Sequence, residues 1–96
     1  MSLRLIGELD LASRDEAQPL ILEPLESHPS LVVDLSHVTF MDSSGLGMLI
    51  RAKKTAEELR RPFALVAGPP NVQRMLEVTG LLEEFTFVDS WVPNPG

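Results

Sequence analysis

From residue 3 to residue 9, Leu3, Leu5 and Leu9 fall on one side of the chain and Arg4, Ile6 and Glu8 on the other. A period of two predicts a half-buried strand. Asp10 and Ser13 then offer helix-capping side chains, and Ala17, Leu20, Ile21 and Leu25 return near helical spacing. Pro19 conflicts with a helix interior, where it removes a hydrogen bond, so the helix is expected to begin close to it. Ser27-His28-Pro29-Ser30 breaks the pattern.

A second strand is expected over residues 31–36, with Leu31, Val33 and Leu35 on one face and Asp34 and Ser36 on the other. Leu46, Leu49, Ala52, Ala56 and Leu59 then mark one stripe of a helix. Arg60-Arg61-Pro62 ends it, and residues 63–67 read as a third strand. Pro70 suits a first helical position, Val72, Met75, Leu76 and Val78 follow it, and Gly80 suits the left-handed position that stops a helix. Residues 85–88 read as a short fourth strand. The alternation of strand and helix predicts an α/β fold with a mainly parallel four-stranded sheet and right-handed crossovers. The strands carry their bulk on one face (Leu3 and Leu5, Val33 and Leu35, Phe63 and Leu65, Phe85 and Phe87) and Arg4, Asp34, Ala64 and Thr86 on the other. A sheet covered on both faces reads as continuous apolar runs. The helices are therefore expected largely on one face.

The 96 residues suffice for a single core. A net charge of −6 argues against a nucleic-acid partner, since phosphate contacts need a basic patch. The densest basic group, Arg51, Lys53, Lys54, Arg60 and Arg61, is interleaved with Glu57 and Glu58 and reads as a solvated helix face. With no cysteine, disulfides, thiolate catalysis and cysteine-based zinc sites are excluded. His28 and His37 alone make a metal site unexpected, and no cofactor motif is present. No apolar run approaches the ~20 residues of a membrane span and no signal-peptide pattern opens the chain, so a cytoplasmic location without a membrane partner is expected.

Candidate chemistry gathers where the second strand pattern meets the second helix, in Asp42-Ser43-Ser44-Gly45-Leu46-Gly47. Four readings compete. The acid and hydroxyls suit helix N-caps, and the glycines suit a tight turn. A serine nucleophile would need a base, with Asp42, His37 and Ser44 as the conceivable triad, but the leading glycine of a nucleophile elbow is missing. A nucleotide cradle fails, because Ile50 stands where the dinucleotide fingerprint needs glycine and no Gly-Lys-Ser/Thr follows. Lastly, a phosphoserine in a first helical turn would gain from the dipole there and change the surface without melting the helix. Spacing alone does not choose between cap and phosphorylation site. Met41 and Met48 beside the motif read as core, and Glu83-Glu84 as a solvated pair.

The stretch VVDLSHVTFMDSSGLGMLIRAKK closely resembles the core of STAS domains, specifically the bacterial anti-sigma factor antagonists. Gly7-Glu8-Leu9-Asp10 resembles the family's early strand-turn signature, and NVQRMLEVTGLLEEF its third helix. The resemblance implies a single STAS domain over residues 1–96 that is no enzyme and takes no cofactor. It implies that Ser44, the motif's second hydroxyl, is phosphorylated by an anti-sigma factor that is itself a serine kinase, with a phosphatase to reverse it. Asp42, Ser43, Ser44 and Gly45 would form the partner surface. Unphosphorylated, such a protein binds the anti-sigma factor and releases a sigma factor. Within the same fold the alternative is a STAS subunit of a transporter or stress-signalling assembly. Outside it, a small hydrolase using Ser44 is the rival.

Two departures stand out. Such domains usually begin with one more strand and end with one more helix, which this sequence lacks. The strand over residues 3–9 would then be an open edge, giving weak self-association or a somewhat unstable monomer, with Trp91 as a partial lid over uncovered apolar surface.

Overall fold

The changes of hydrophobic period become β1 (Ser2–Leu9), α1 (Arg14–Ser27), β2 (Leu31–Met41), α2 (Ser43–Leu59), β3 (Phe63–Val66), α3 (Pro70–Val78), a 3-10 turn (Leu82–Glu84) and β4 (Phe87–Val88). The structure, a computed structural model, describes residues 1–89. The expectation for Trp91 lies outside the described residues. All strand pairs are parallel, in one sheet of order β1-β2-β3-β4. This is the α/β class that the alternation predicts.

One hydrophobic core draws on every helix: Ala17, Ile21 and Leu25 of α1, Leu49 and Ala52 of α2, and Val72 and Leu76 of α3 pack with Leu5, Val33, Leu35 and Leu65 of the strands. The other face of the sheet stays open, with Ile6 77% exposed. Arg4, Asp34, Val66 and Val88 form a row across it by register. Asp34 is buried there. Arg4 Nε donates to its Oδ2 at 3.2 Å and the Ser36 N–H to its Oδ1 at 2.8 Å. Burial is the largest influence on this carboxyl and pushes its pKa up, but the bonds from Ser36 and Arg4 together hold it below the ordinary 3.8.

β2 is longer than its sequence pattern predicts, running to Met41 rather than stopping at Ser36. Two register shifts against β1 explain the difference: Arg4 pairs with Asp34 but Ile6 with His37, and Gly7 pairs with Val38 but Glu8 with Phe40. Each shift inserts one extra residue into β2, a bulge. The first shift brings Val38 to the core out of phase with Leu31, Val33 and Leu35, the second returns Met41 to their phase, and Phe40 between them turns outward. A search for strict alternation loses the strand at that point.

α1 also departs from expectation, beginning five residues before Pro19 and enclosing both Pro19 and Pro24. The prolines deny bonds to the carbonyls of Asp15 and Leu20, and both residues are exposed, so water can serve them. An interior proline costs about 3 kcal/mol, and burying Ile21 and Leu25 returns roughly 1.5–3 kcal/mol each. Packing wins over propensity. Arg61, expected on a solvated helix face, instead reaches back to bond the carbonyls of Leu25 and His28 at the end of α1.

Smaller differences are local. β3 ends at Val66, and Phe85 precedes β4 as a core residue rather than a strand residue. Leu59 and Val78 close their helical stripes on the exposed side, at 40% and 69%. Met41 and Met48 are core, as read. α3 starts at Pro70 and stops at Gly80, whose φ is +74°. There the Leu81 N–H bonds the Leu76 carbonyl and the Gly80 N–H that of Glu77. α2 ends in the same geometry, on Arg60 at φ +56°.

α2 lies so close to the sheet that a Cβ on Gly45 would stand 2.3 Å from the Leu9 carbonyl oxygen and 2.8 Å from Leu9 Cβ. Gly47, two residues on, has open space. Gly45→Ala should therefore destabilise by about 1–3 kcal/mol, whereas Gly47→Ala should stabilise by up to ~1 kcal/mol through helix propensity. Urea unfolding of the two variants checks this contrast.

Asp34 generates an expectation about pH. Its folded pKa lies below the unfolded value, so its contribution is complete above the ordinary carboxylate range and is lost as pH falls through the folded pKa. Thermal melts between neutral pH and the acid side of that range should show Asp34→Asn losing less stability on acidification than the parent protein.

Candidate functional site

The chain leaves the carboxyl end of β2 at Met41 and enters α2 at Ser43, with Asp42 between them in extended conformation. Asp42 is the N-cap. Its Oδ1 accepts from the N–H of Ser44 at 2.8 Å and of Gly45 at 3.1 Å, groups that have no partner within the helix. Its Oδ2 accepts from the Leu11 N–H at 3.3 Å, in the loop between β1 and α1. The Asp42 N–H donates to the Leu9 carbonyl at 3.2 Å. One residue thus ties the start of α2 to the end of β1 and to the loop beyond it.

That loop is fixed from its other side as well. Asp10 Oδ1 accepts from the Ser13 N–H at 3.0 Å, and Ser13 Oγ accepts from the Asp10 N–H at 3.0 Å and donates to the Glu8 carbonyl at 2.9 Å. The backbone bond from Ser13 holds the Asp10 carboxyl below its usual value. Ser13 precedes α1 without capping it by its side chain. The acid of Gly7-Glu8-Leu9-Asp10 therefore shapes the loop that carries Leu11.

With the cap supplied by Asp42, the two serines have no structural task. Ser43 and Ser44 occupy the first and second positions of α2; Ser43 is exposed and Ser44 half-buried. Neither hydroxyl has a hydrogen-bond partner among the described residues. Gly45 is buried, and its close approach to Leu9 sets the height at which the serines stand above the sheet. Leu11, 63% exposed, and Phe40, 47% exposed, are apolar residues at the same carboxyl end of β1 and β2. Sequence reasoning missed both. The available signals were an apolar residue set between the turn formers Asp10 and Ser13, and an aromatic one that breaks the alternation of β2.

The candidate triad is not assembled. Both Asp42 oxygens are engaged by backbone N–H groups. The Nδ1 of His37 meets Ser36 Oγ at 3.0 Å, and that of His28 meets Ser27 Oγ at 3.1 Å. Among the described residues no group of His, Asp and Glu could hold a metal ion, and no helix is long and apolar enough to cross a membrane. Along the exposed side of α2, Gly47, Arg51, Lys54 and Glu58 line a shallow groove. What the site offers is a spare hydroxyl on a rigid helix start, beside two exposed apolar side chains.

Comparison with known proteins agrees with this picture. Residues 1–92 match the STAS domain family. An anti-sigma F factor antagonist of Paenibacillus polymyxa is 31% identical over 91 residues, covering 93% of this chain and 78% of that protein. An anti-sigma-B factor antagonist of Staphylococcus aureus is 29% identical over 77 residues, covering 78% of this chain and 70% of the other. The crystal structure of an anti-sigma factor antagonist from Mycobacterium paratuberculosis superposes with a TM-score of 0.79 at 30% identity, over 93% of this chain and 76% of that one. Fold, motif and family match converge: the chain belongs to the STAS domain family.

Proposed function

We propose that this protein is an anti-sigma factor antagonist, a binding module whose partner surface is gated by phosphorylation of Ser44. The observation that carries the reading is the division of labour at the start of α2, where Asp42 caps the helix and leaves the Ser44 hydroxyl unbonded. The named antagonists among its relatives support the class of partner. Asp42, Ser43, Ser44 and Gly45 form the centre of the surface, Gly45 by holding the serines in place, with Leu11 and Phe40 as its apolar contacts. The partner is an anti-sigma factor with serine kinase activity, and a phosphatase resets the site.

The switch follows from charge. A phosphoserine carries about −1.5 to −2 at pH 7. At Ser44 it sits at the favourable end of the α2 dipole. The N–H groups of Ser44 and Gly45 are already taken by the Asp42 carboxylate, so the phosphate oxygens point outward to water instead of folding onto the helix. The helix survives and the surface changes. An interface shaped around a neutral hydroxyl has no partner for a dianion, and Asp42 beside it adds repulsion. A buried unpaired charge of this kind costs ~2–5 kcal/mol, or roughly thirty- to several-thousand-fold in affinity.

The test uses a purified ATP-dependent anti-sigma factor kinase from the same organism that forms a complex with this protein. Incubation with ATP followed by peptide mass spectrometry should place one phosphate on Ser44, and a phosphate on Ser43 alone would overturn the assignment. Ser44→Ala should bind the kinase and resist modification. Ser44→Asp should bind at least ~30-fold more weakly, with its thermal midpoint nearly unchanged, because a carboxylate suits that end of a helix. An Asp variant that unfolds would instead make Ser44 a structural residue.

A further inference from the structure

Ser44, Gly47, Arg51, Lys54 and Glu58 follow one another along α2 at steps of three or four residues, so they form one stripe on its outer side. Ser44 is half-buried at its head and the other four are exposed. At 1.5 Å per residue, Arg51 lies about 10 Å and Lys54 about 15 Å from Ser44 along the axis. Two features of the stripe answer no need of the fold. Gly47 stands inside the helix without a positive φ, and a Cβ there would meet nothing within 4 Å. Neither backbone nor packing calls for glycine, one of the poorest helix formers. Arg51 and Lys54 enter no ion pair among the described residues. Of the two glutamates interleaved with them, Glu57 is turned to Lys53, with 2.6 Å from Nζ to Oε1, and Glu58 pairs with neither cation. Two uncompensated cations thus sit beside a bare turn, in a chain of net charge −6.

We infer that this stripe determines which partner the protein accepts, and that it fits an acidic patch on the anti-sigma factor. This partner chemistry rests on the antagonist reading of Ser44 and extends it. Gly47 leaves a turn without a side chain, where the partner's backbone settles close to the helix between the hydroxyl and the cations. Arg51 and Lys54, which line the groove beyond it, meet carboxylates of the partner. Complementary charge of this kind steers encounter, fixes register and rejects wrong partners. The fit is to a protein surface, because a chain of this net charge repels a long polyanion such as nucleic acid. The same patch bears on the switch. Arg51 stands from Ser44 at a distance comparable with the Debye length of about 8 Å at physiological ionic strength. The partner's carboxylates would therefore repel a phosphate on Ser44 in addition to leaving it unpaired.

Binding kinetics against the purified anti-sigma factor kinase that forms a complex with the protein test it, at low and at physiological salt. The parent's association rate should fall as salt is raised. Arg51→Glu combined with Lys54→Glu should associate at least ~tenfold more slowly at low salt and lose that salt dependence. Gly47→Gln should melt no lower than the parent, since glutamine is the better helix former. It should nevertheless bind at least ~tenfold more weakly, because its side chain fills the bare turn. A structural role for Gly47 could not separate stability from binding in that direction. Parental kinetics in the charge variant, while Ser44→Asp still disrupts the complex, would overturn the inference and leave the antagonist reading standing. Slow association in the charge variant, with full binding by Ser44→Asp, would keep the surface and remove the gate. Parental affinity in Gly47→Gln overturns the inference, as does a random-sequence DNA duplex that binds the parent and is lost in the charge variant. If charge reversal disturbs folding by circular dichroism, Arg51→Gln with Lys54→Gln replaces it and should slow association at least ~threefold.

Discussion

The carboxylate of Asp42 holds three backbone N–H groups from two separate segments, and the geometry of the site depends on that bond set. Helix starts leave donors unpaired, and a buried or half-buried donor without an acceptor costs on the order of 1–3 kcal/mol. Here one short side chain satisfies Ser44 and Gly45 at the head of α2, and with its second oxygen it reaches Leu11 beyond β1. The helix start, the end of β1 and the following loop become one rigid body. Gly45 completes the arrangement by letting α2 approach to the backbone of Leu9. Because the acid does the capping, the hydroxyls that follow it are free for chemistry.

A phosphorylation switch of the proposed kind would have no moving part. The phosphate would add charge at a place where the backbone is already fully bonded, so its effect is confined to what the surface can accept. Regulation would then be a property of the interface, and the stability of the domain need not change with its state. The open face of the sheet is arranged on the same economy. Asp34 is buried where no helix covers it, and Arg4 and Ser36 supply enough bonds to keep it charged.

Much of this was legible in the sequence, for reasons that differ from element to element. β1 and the first half of β2 alternate cleanly, α3 carries Pro70 at its start and Gly80 past its end, and the Asp-Ser-Ser-Gly-Leu-Gly run marks the turn from β2 into α2. Period-based reading fails where backbone geometry breaks the period. The two bulges in β2 move Val38 out of phase and Met41 back into it, and no local propensity announces a bulge. Pro19 and Pro24 look like helix breakers until the depth of Ile21 and Leu25 is known. The motif contains two glycines, and sequence alone cannot say that Gly45 is a steric necessity and Gly47 is not, since the difference lies in what Leu9 places opposite them. The role of Arg61 depends on the end of α1, thirty-six residues away at the Leu25 carbonyl.

Strand order carries a consequence for how the chain acquires its shape. Each strand lies beside the one made just before it, so the sheet can grow in the order of synthesis, without any later strand having to insert between two earlier ones. Short-range pairings close smaller loops and are reached sooner than distant ones. A β1-α1-β2 unit can assemble while the rest is still being made, and α2 can dock once Asp42 is available to cap it. β4, the last of the described strands in chain order, adds only two residues to the sheet. Among the described residues, the sheet is thus largely complete once β3 has paired with β2.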